Sequence, residues 1–280
     1  MHGFLTREIA FLTRHGKEQV VSPLLNQALG CSVVHVDGFD TDLLGTFTRD
    51  VQRPGSQLEA ARRKALKGME LAGLSIGLAS EGSFGPDPVT GMFVWNVELL
   101  LLIDAERQLE IAGMAQQPGR SEHILTASWD SVQHFAIRAG FPDHHLVVRP
   151  EHQDDPRLVK GIANWEALEQ VFAHAQSLSA NGEVFLENDL RAHTNPTRMH
   201  TIRLAAENLA ARIQSTCPNC AMPGFWGVEA IAGLPCRACG APTHKTKAVK
   251  WACQKCALTE TRAVPGDAFA GPESCDLCNP

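Results

Sequence analysis

EIAFLTRHGKEQVVSPLLNQALGCSVVHVD, residues 8–37, decides the fold. Residues 8–13, EIAFLT, read as a buried first strand, and a glycine-lysine turn follows. Gly16–Gly30 then reads as a helix with Pro23 near a kink, and the β-branched Cys31–Asp37 as a second strand. Strand, helix and strand in that order open an α/β layer. Arg7 and Glu8 interrupt the apolar stretch at the N-terminus, which therefore reads as a buried strand and not as a signal peptide.

The alternation continues outward. A polar loop is expected from Gly38 to Ser56, and its Asp40 and Asp42, with Asp37, read as solvated acids before a cation site. Leu58, Ala61, Ala65, Leu66 and Met69 recur at helical spacing over Gln57–Ala72. Leu74–Ser80 reads as a short strand ending in a turn at Ala79–Ser83; Met92–Asp104 and Arg107–Gly113 read as two longer strands. In the second half, helices are expected over 128–140, 164–180 and 197–215, with Asn164 as a cap and Pro196 in the first turn. Strands are expected at 144–150 and 182–189. The expectation is one α/β domain over residues 1–215 with a mixed sheet and flanking helices.

Residues 216–280 differ in kind: rich in glycine, proline and cysteine, with little helical periodicity. Eight of the nine cysteines form the C-x-x-C pairs Cys217/Cys220, Cys236/Cys239, Cys253/Cys256 and Cys275/Cys278. Two intervening residues let both sulfurs reach one ion from a tight turn, and two such turns complete a tetrahedron. Eight thiolates imply two structural Zn²⁺ in a zinc-ribbon-like domain, with iron–sulfur ligation as the chemical rival. Sequential pairing is the simplest, and an interleaved arrangement, first with third and second with fourth, is also geometrically possible. Cys31 stands alone in a strand and reads as a small buried hydrophobe.

Lys and Arg number 25 against 31 Asp and Glu, a net charge of −6. Nucleic acid demands a cationic face, so nucleic-acid binding is disfavoured. No apolar run is long enough to span a bilayer, and the expected location is cytoplasmic. Oligomeric state is not legible.

The phrases ASEGSFGPDP (79–88), RAHTNPTRM (191–199), GLPCRACGAPT (233–243) and CDLCNP (275–280) are similar to a bacterial family known only as a domain of unknown function. Residues 8–85 also resemble the inosine triphosphate pyrophosphatase superfamily of house-cleaning nucleotide hydrolases. Those enzymes open with a strand, a T-x-N-x-x-K turn and a helix, then carry E-N-A-x-x-K-A on a helix and an acidic A-D-D-S-G turn. Here stand Thr13-Arg14-His15-Gly16-Lys17, Glu59-Ala60-Ala61-Arg62-Arg63-Lys64-Ala65 and Ala79-Ser80-Glu81-Gly82-Ser83. The lysine turn is one residue shorter, with His15 where asparagine stands, and one acid replaces two.

The resemblance implies a Mg²⁺- or Mn²⁺-dependent nucleotide or phosphoester hydrolase. Glu59 and Glu81 would ligate the ion, Glu81 would orient water, and Lys64 would neutralise developing charge. Thr13, His15 and Lys17 would grip phosphate at a helix start. A second basic cluster, Arg191, His193, Asn195 and Arg198, would form an anion-binding edge before the last helix. The bland readings are solvated helix lysines, a helix-start acid at Glu59, and capping at Thr194 or Asn195. Glu98, an acid inside an apolar strand, either faces a polar cleft or pairs. The alternative function is non-catalytic: an enzyme-like domain binding a nucleotide or a partner protein, with the zinc ribbon as a docking surface.

Overall fold

The computed structural model describes residues 3–38 and 56–280. Most of the expected polar loop, with Asp40 and Asp42, lies outside the described residues. The chain divides into an α/β unit, Thr6–Ala210, and a cysteine unit, Met1–Leu5 with Ala211–Pro280.

The α/β unit begins as β1 (Glu8–Leu12), α1 (Glu18–Leu29), β2 (Ser32–Val36), α2 (Gln57–Ala72), β3 (Ile76–Pro86), β4 (Val94–Asp104) and β5 (Leu109–Pro118). These strands form one mixed sheet in the order β2-β1-β3-β4-β5. β2, β1 and β3 run parallel, and β4 and β5 continue antiparallel as a meander. α1 keeps Pro23 in its interior and closes on Gly30 in the left-handed region. α2 packs against the face carrying Ala10 and Leu12, approaching so closely that a side chain on Gly77 would stand 2.6 Å from the Ala65 carbonyl. α5 (Pro196–Gln214) lies on the other face, where a Cβ on Gly113 would stand 2.5 Å from the Leu209 backbone. The sheet is therefore sandwiched at its centre, as its unbroken apolar run Leu99–Ile103 requires.

The rest of the unit is a second sheet. β6 (His123–Thr126), β7 (Leu146–Pro150), β8 (Val159–Ile162) and β9 (Val184–Asn188) pair antiparallel in the order β6-β9-β7-β8. α3 (Trp129–Arg138) and α4 (Trp165–Leu178) cover one face through Val132, Phe135, Leu168 and Phe172. Ser128 caps α3, and Asn164 caps α4 by accepting the Ala167 N–H at 2.8 Å. β6 and β8 have four residues each, too short for alternation to stand out, and the sequence did not announce them.

One expectation needs correction. Ala79–Ser83 is no turn: β3 continues through it to Pro86, pairing with β4 down to Pro86↔Val94. Serine and glycine in this stretch suggested a chain reversal, and cross-strand pairing overrides that local preference. β1 pairs with β3 at Ala10↔Gly77 and Phe11↔Leu78, so β3 runs on past the end of β1.

The cysteine unit holds β10 (Trp226–Ala232), β11 (Thr246–Ala252) and β12 (Thr259–Ala263), an antiparallel three-stranded sheet. No described helix is long and apolar enough to cross a membrane.

Candidate functional site

The turn after β1 places Lys17 beside this extension of β3. His15 and Gly16 take left-handed conformations with φ of 68° and 74°, turning the chain so that Lys17 opens α1. Among the described residues no side chain caps α1; the Gln19 N–H donates to the Gly16 carbonyl at 3.1 Å, and the Val20 and Val21 N–H groups donate to the Lys17 carbonyl at 3.2 and 3.1 Å. Lys17 is buried, and its Nζ donates to the Ser80 carbonyl at 3.2 Å and the Ser80 hydroxyl at 3.3 Å. Burial, then the Arg198 guanidinium, pulls the Lys17 ammonium down to about 7, with Lys64 adding to the fall and Glu98 and Glu81 opposing it.

Two ion pairs flank this lysine on opposite faces of the sheet. Side chains alternate along β3, so Gly77, Ala79 and Glu81 face α2 while Ser80 and Gly82 face α5. On the α2 face, Lys64 pairs with Glu81, both largely buried. Gln57, the first residue of α2, donates to the Glu81 carbonyl at 2.7 Å and the Val97 carbonyl at 3.1 Å, pinning the helix start to both strands. On the α5 face, Arg198 Nε donates to Glu98 Oε1 at 2.7 Å, and Asn96 donates to the same oxygen at 3.0 Å. Arg198 Nη1 also donates to the Leu190 carbonyl at 2.5 Å. Glu98 Oε2 is buried and has no hydrogen-bond partner among the described residues.

The second basic cluster joins the same region in part. His193 stacks on His15 with ring centroids 5.0 Å apart, bringing the segment before α5 to the β1–α1 turn. Burial, then Arg191, lowers the His193 pKa. Arg191 is committed to Asp189 at 2.5 Å, and Asp189 also accepts the Gly161 N–H at 3.0 Å. Asn195 caps α5 by accepting the Arg198 N–H at 3.0 Å, while its Nδ2 is buried with no partner among the described residues. Thr13 is buried beneath the turn.

Glu59 lies apart from these groups. It closes a capping box with Ser56: its carboxylate accepts the Ser56 N–H at 2.7 Å and its own N–H donates to the Ser56 hydroxyl at 3.3 Å. Those bonds hold its carboxyl below the usual range. Lys17, Lys64, Glu81, Arg198, His15 and His193 thus gather around the end of β1, and Glu59 and Arg191 serve other partners. Ser80, Gly82 and Asn96 carry contacts that residue type alone did not signal. The buried acid Glu98 did signal itself, and it pairs.

The eight cysteines form two tetrads. Cys217, Cys220, Cys253 and Cys256 converge in one, and Cys236, Cys239, Cys275 and Cys278 in the other. The pairing is interleaved, first with third and second with fourth. Closest sulfurs lie 3.6 Å apart in the first tetrad, and 3.7 and 3.9 Å apart in the second. A tetrahedral ion with Zn–S of about 2.3 Å needs edges of about 3.8 Å, whereas a disulfide needs about 2.05 Å. The tetrads therefore fit metal. Ala221, Gly240 and Ala257, each following the second cysteine of its pair, are left-handed and turn the chain back so that N–H groups close the knuckle, as Ala221 N to Cys217 O at 2.9 Å. Backbone N–H groups of Cys239 and Ala238 draw the Cys236 thiol down to about 7. The Asn219 side chain and the Leu258 N–H draw Cys256 to about 6, while neighbouring thiols push Cys220 and Cys278 up to about 12, as expected where sulfurs crowd together.

A family model described as Domain of unknown function (DUF6671) matches residues 64–280, and the chain belongs to that family. The match takes in Lys64, Glu81, Glu98, Arg198 and all eight paired cysteines, and begins after Lys17. A search of curated proteins gave no match.

Proposed function

We propose that this member of the DUF6671 family binds a phosphorylated small molecule, such as a nucleotide, at the carboxyl end of β1, and that its cysteine unit holds two structural Zn²⁺. One observation carries the anion reading. Three cations, Lys17, Lys64 and Arg198, gather there against two carboxylates, Glu81 and Glu98, at the start of α1. The excess positive charge suits phosphate. Strand carboxyl ends are also where ligands gather in α/β sheets.

A second reading, a Mg²⁺- or Mn²⁺-dependent nucleotide hydrolase, rests on the buried Glu98 Oε2, which has no hydrogen-bond partner among the described residues. It has less support, because Glu59 is spent on capping and Glu81 on Lys64. The cysteine unit would dock a partner protein through exposed apolar groups such as Val228, Phe269 and Leu277.

Calorimetry with inorganic phosphate and with nucleoside mono- and triphosphates, with and without Mg²⁺ or Mn²⁺, tests the proposal. Binding without phosphate release supports it. Metal-dependent release establishes the hydrolase instead. No binding by any of these anions overturns both.

A further inference from the structure

We infer that an anion enters this site together with a proton, which Lys17 takes up. The inference rests on the anion-binding reading and concerns how that site is regulated. Its basis is the partner list of one buried ammonium. Among the described residues Lys17 Nζ has only the neutral Ser80 carbonyl and hydroxyl as hydrogen-bond partners. The two carboxylates near enough to help are already taken, Glu81 by Lys64 from α2 and Glu98 by Arg198 from α5.

The helices α2 and α5 therefore each offer a balanced pair, and Lys17 is the cation left over between the two pairs. The turn adds His15, stacked on His193, and α1 adds its own Glu18. A buried ammonium next to two other cations and without its own carboxylate is held neutral more readily than an exposed one. Its depressed titration, near 7, agrees. An arriving dianion reverses the balance, because negative charge near the amine favours its protonated form. Binding N–H⁺ in place of N is a linkage: the site gains affinity as pH falls. The site would thus hold its ligand in slightly acidic surroundings and release it in alkaline ones.

Sulfate is the probe, because it stays a dianion across the whole pH range and contributes no titration of its own. The full-length zinc-loaded protein is titrated with sulfate at pH 6 to 9, in buffers of different ionisation enthalpy. The expected result is uptake of close to one proton per sulfate above pH 7, with affinity falling by about tenfold per pH unit there. Lys17→Arg, charged throughout, should bind with neither proton uptake nor pH slope above 7. Lys17→Met should bind weakly at every pH, and circular dichroism confirms that both variants fold. Sulfate binding by wild type without proton uptake overturns the inference while leaving the anion site standing. A slope that survives in both variants also overturns it, and moves the proton to His15 or His193. Absence of sulfate and phosphate binding at any pH removes the anion site itself and the inference with it.

Discussion

Gly82 stands directly across from Glu98 in the β3–β4 register, and the space where its side chain would be is filled by the ion pair. A Cβ there would lie 2.2 Å from Glu98 Oε1 and 2.6 Å from Arg198 Nη2. The absent side chain is what lets a carboxylate and a guanidinium meet beneath α5. Gly82→Ala should therefore displace the pair. Breaking a buried ion pair costs about 3–5 kcal/mol, and urea denaturation should show a loss in that range. Gly85→Ala, three residues along the strand with nothing within 4 Å of its Cβ, is the matched control and should change little. Equal losses in both variants would mean that strand propensity, not the pair, sets the effect.

Lys17 makes a prediction about stability and pH. Its pKa in the folded chain is about 7, below the ordinary lysine value of 10.5. Between those values the unfolded chain holds a proton that the folded chain does not, so stability rises with pH across that window. Below pH 7 the desolvation penalty is present in full. Lys17→Met removes it, so the variant should gain on wild type most at pH 7 and below. That advantage should shrink toward pH 10 by at most about 1.4 kcal/mol per pH unit. Denaturation of both proteins at a series of pH values measures this. A wild-type-minus-variant difference that is flat from pH 7 to 10 would show that Lys17 is protonated in the folded chain.

The capping box separates a structural acid from a ligand-binding one. Ser56→Ala should lower stability by about 1 kcal/mol, the usual cost of losing an N-cap. Glu59→Gln should leave anion affinity unchanged, because its carboxylate is directed to Ser56. Loss of phosphate or nucleotide binding in Glu59→Gln, with the fold intact, would return Glu59 to the site.

Much of this architecture was readable from residues alone. α2 is bounded as its helical spacing predicts, because Ser56, Glu59 and Gly73 are capping residues at its two ends. The same Ser-x-x-Glu pattern could have identified Glu59 as a cap, but its place in an enzyme-like frame suggested metal ligation. The Lys17–Ser80 contact was hidden because it depends on β3 outrunning β1, a matter of register that no local pattern encodes. Glu98 was conspicuous as an acid among leucines. Its partner lies 100 residues away and emerges only when α5 crosses the sheet.

The interleaving of the tetrads was beyond sequence for a simpler reason: four equivalent C-x-x-C turns satisfy either pairing equally well. Zinc counting on double-pair variants decides between them. Removing the first and third pairs together, by serine at Cys217, Cys220, Cys253 and Cys256, abolishes one interleaved tetrad and leaves the other complete. That variant should retain about one zinc of two per chain. Removing the first and second pairs, at Cys217, Cys220, Cys236 and Cys239, halves both tetrads and should retain about none, because two thiolates do not close a structural site. Sequential pairing demands the reverse order. Folding energy in such a unit comes largely from the metal, so the surviving site also reports on cooperation between the tetrads. Zinc absent from both variants would mean that neither tetrad stands without the other. One zinc in the second variant and none in the first would refute the interleaved arrangement outright.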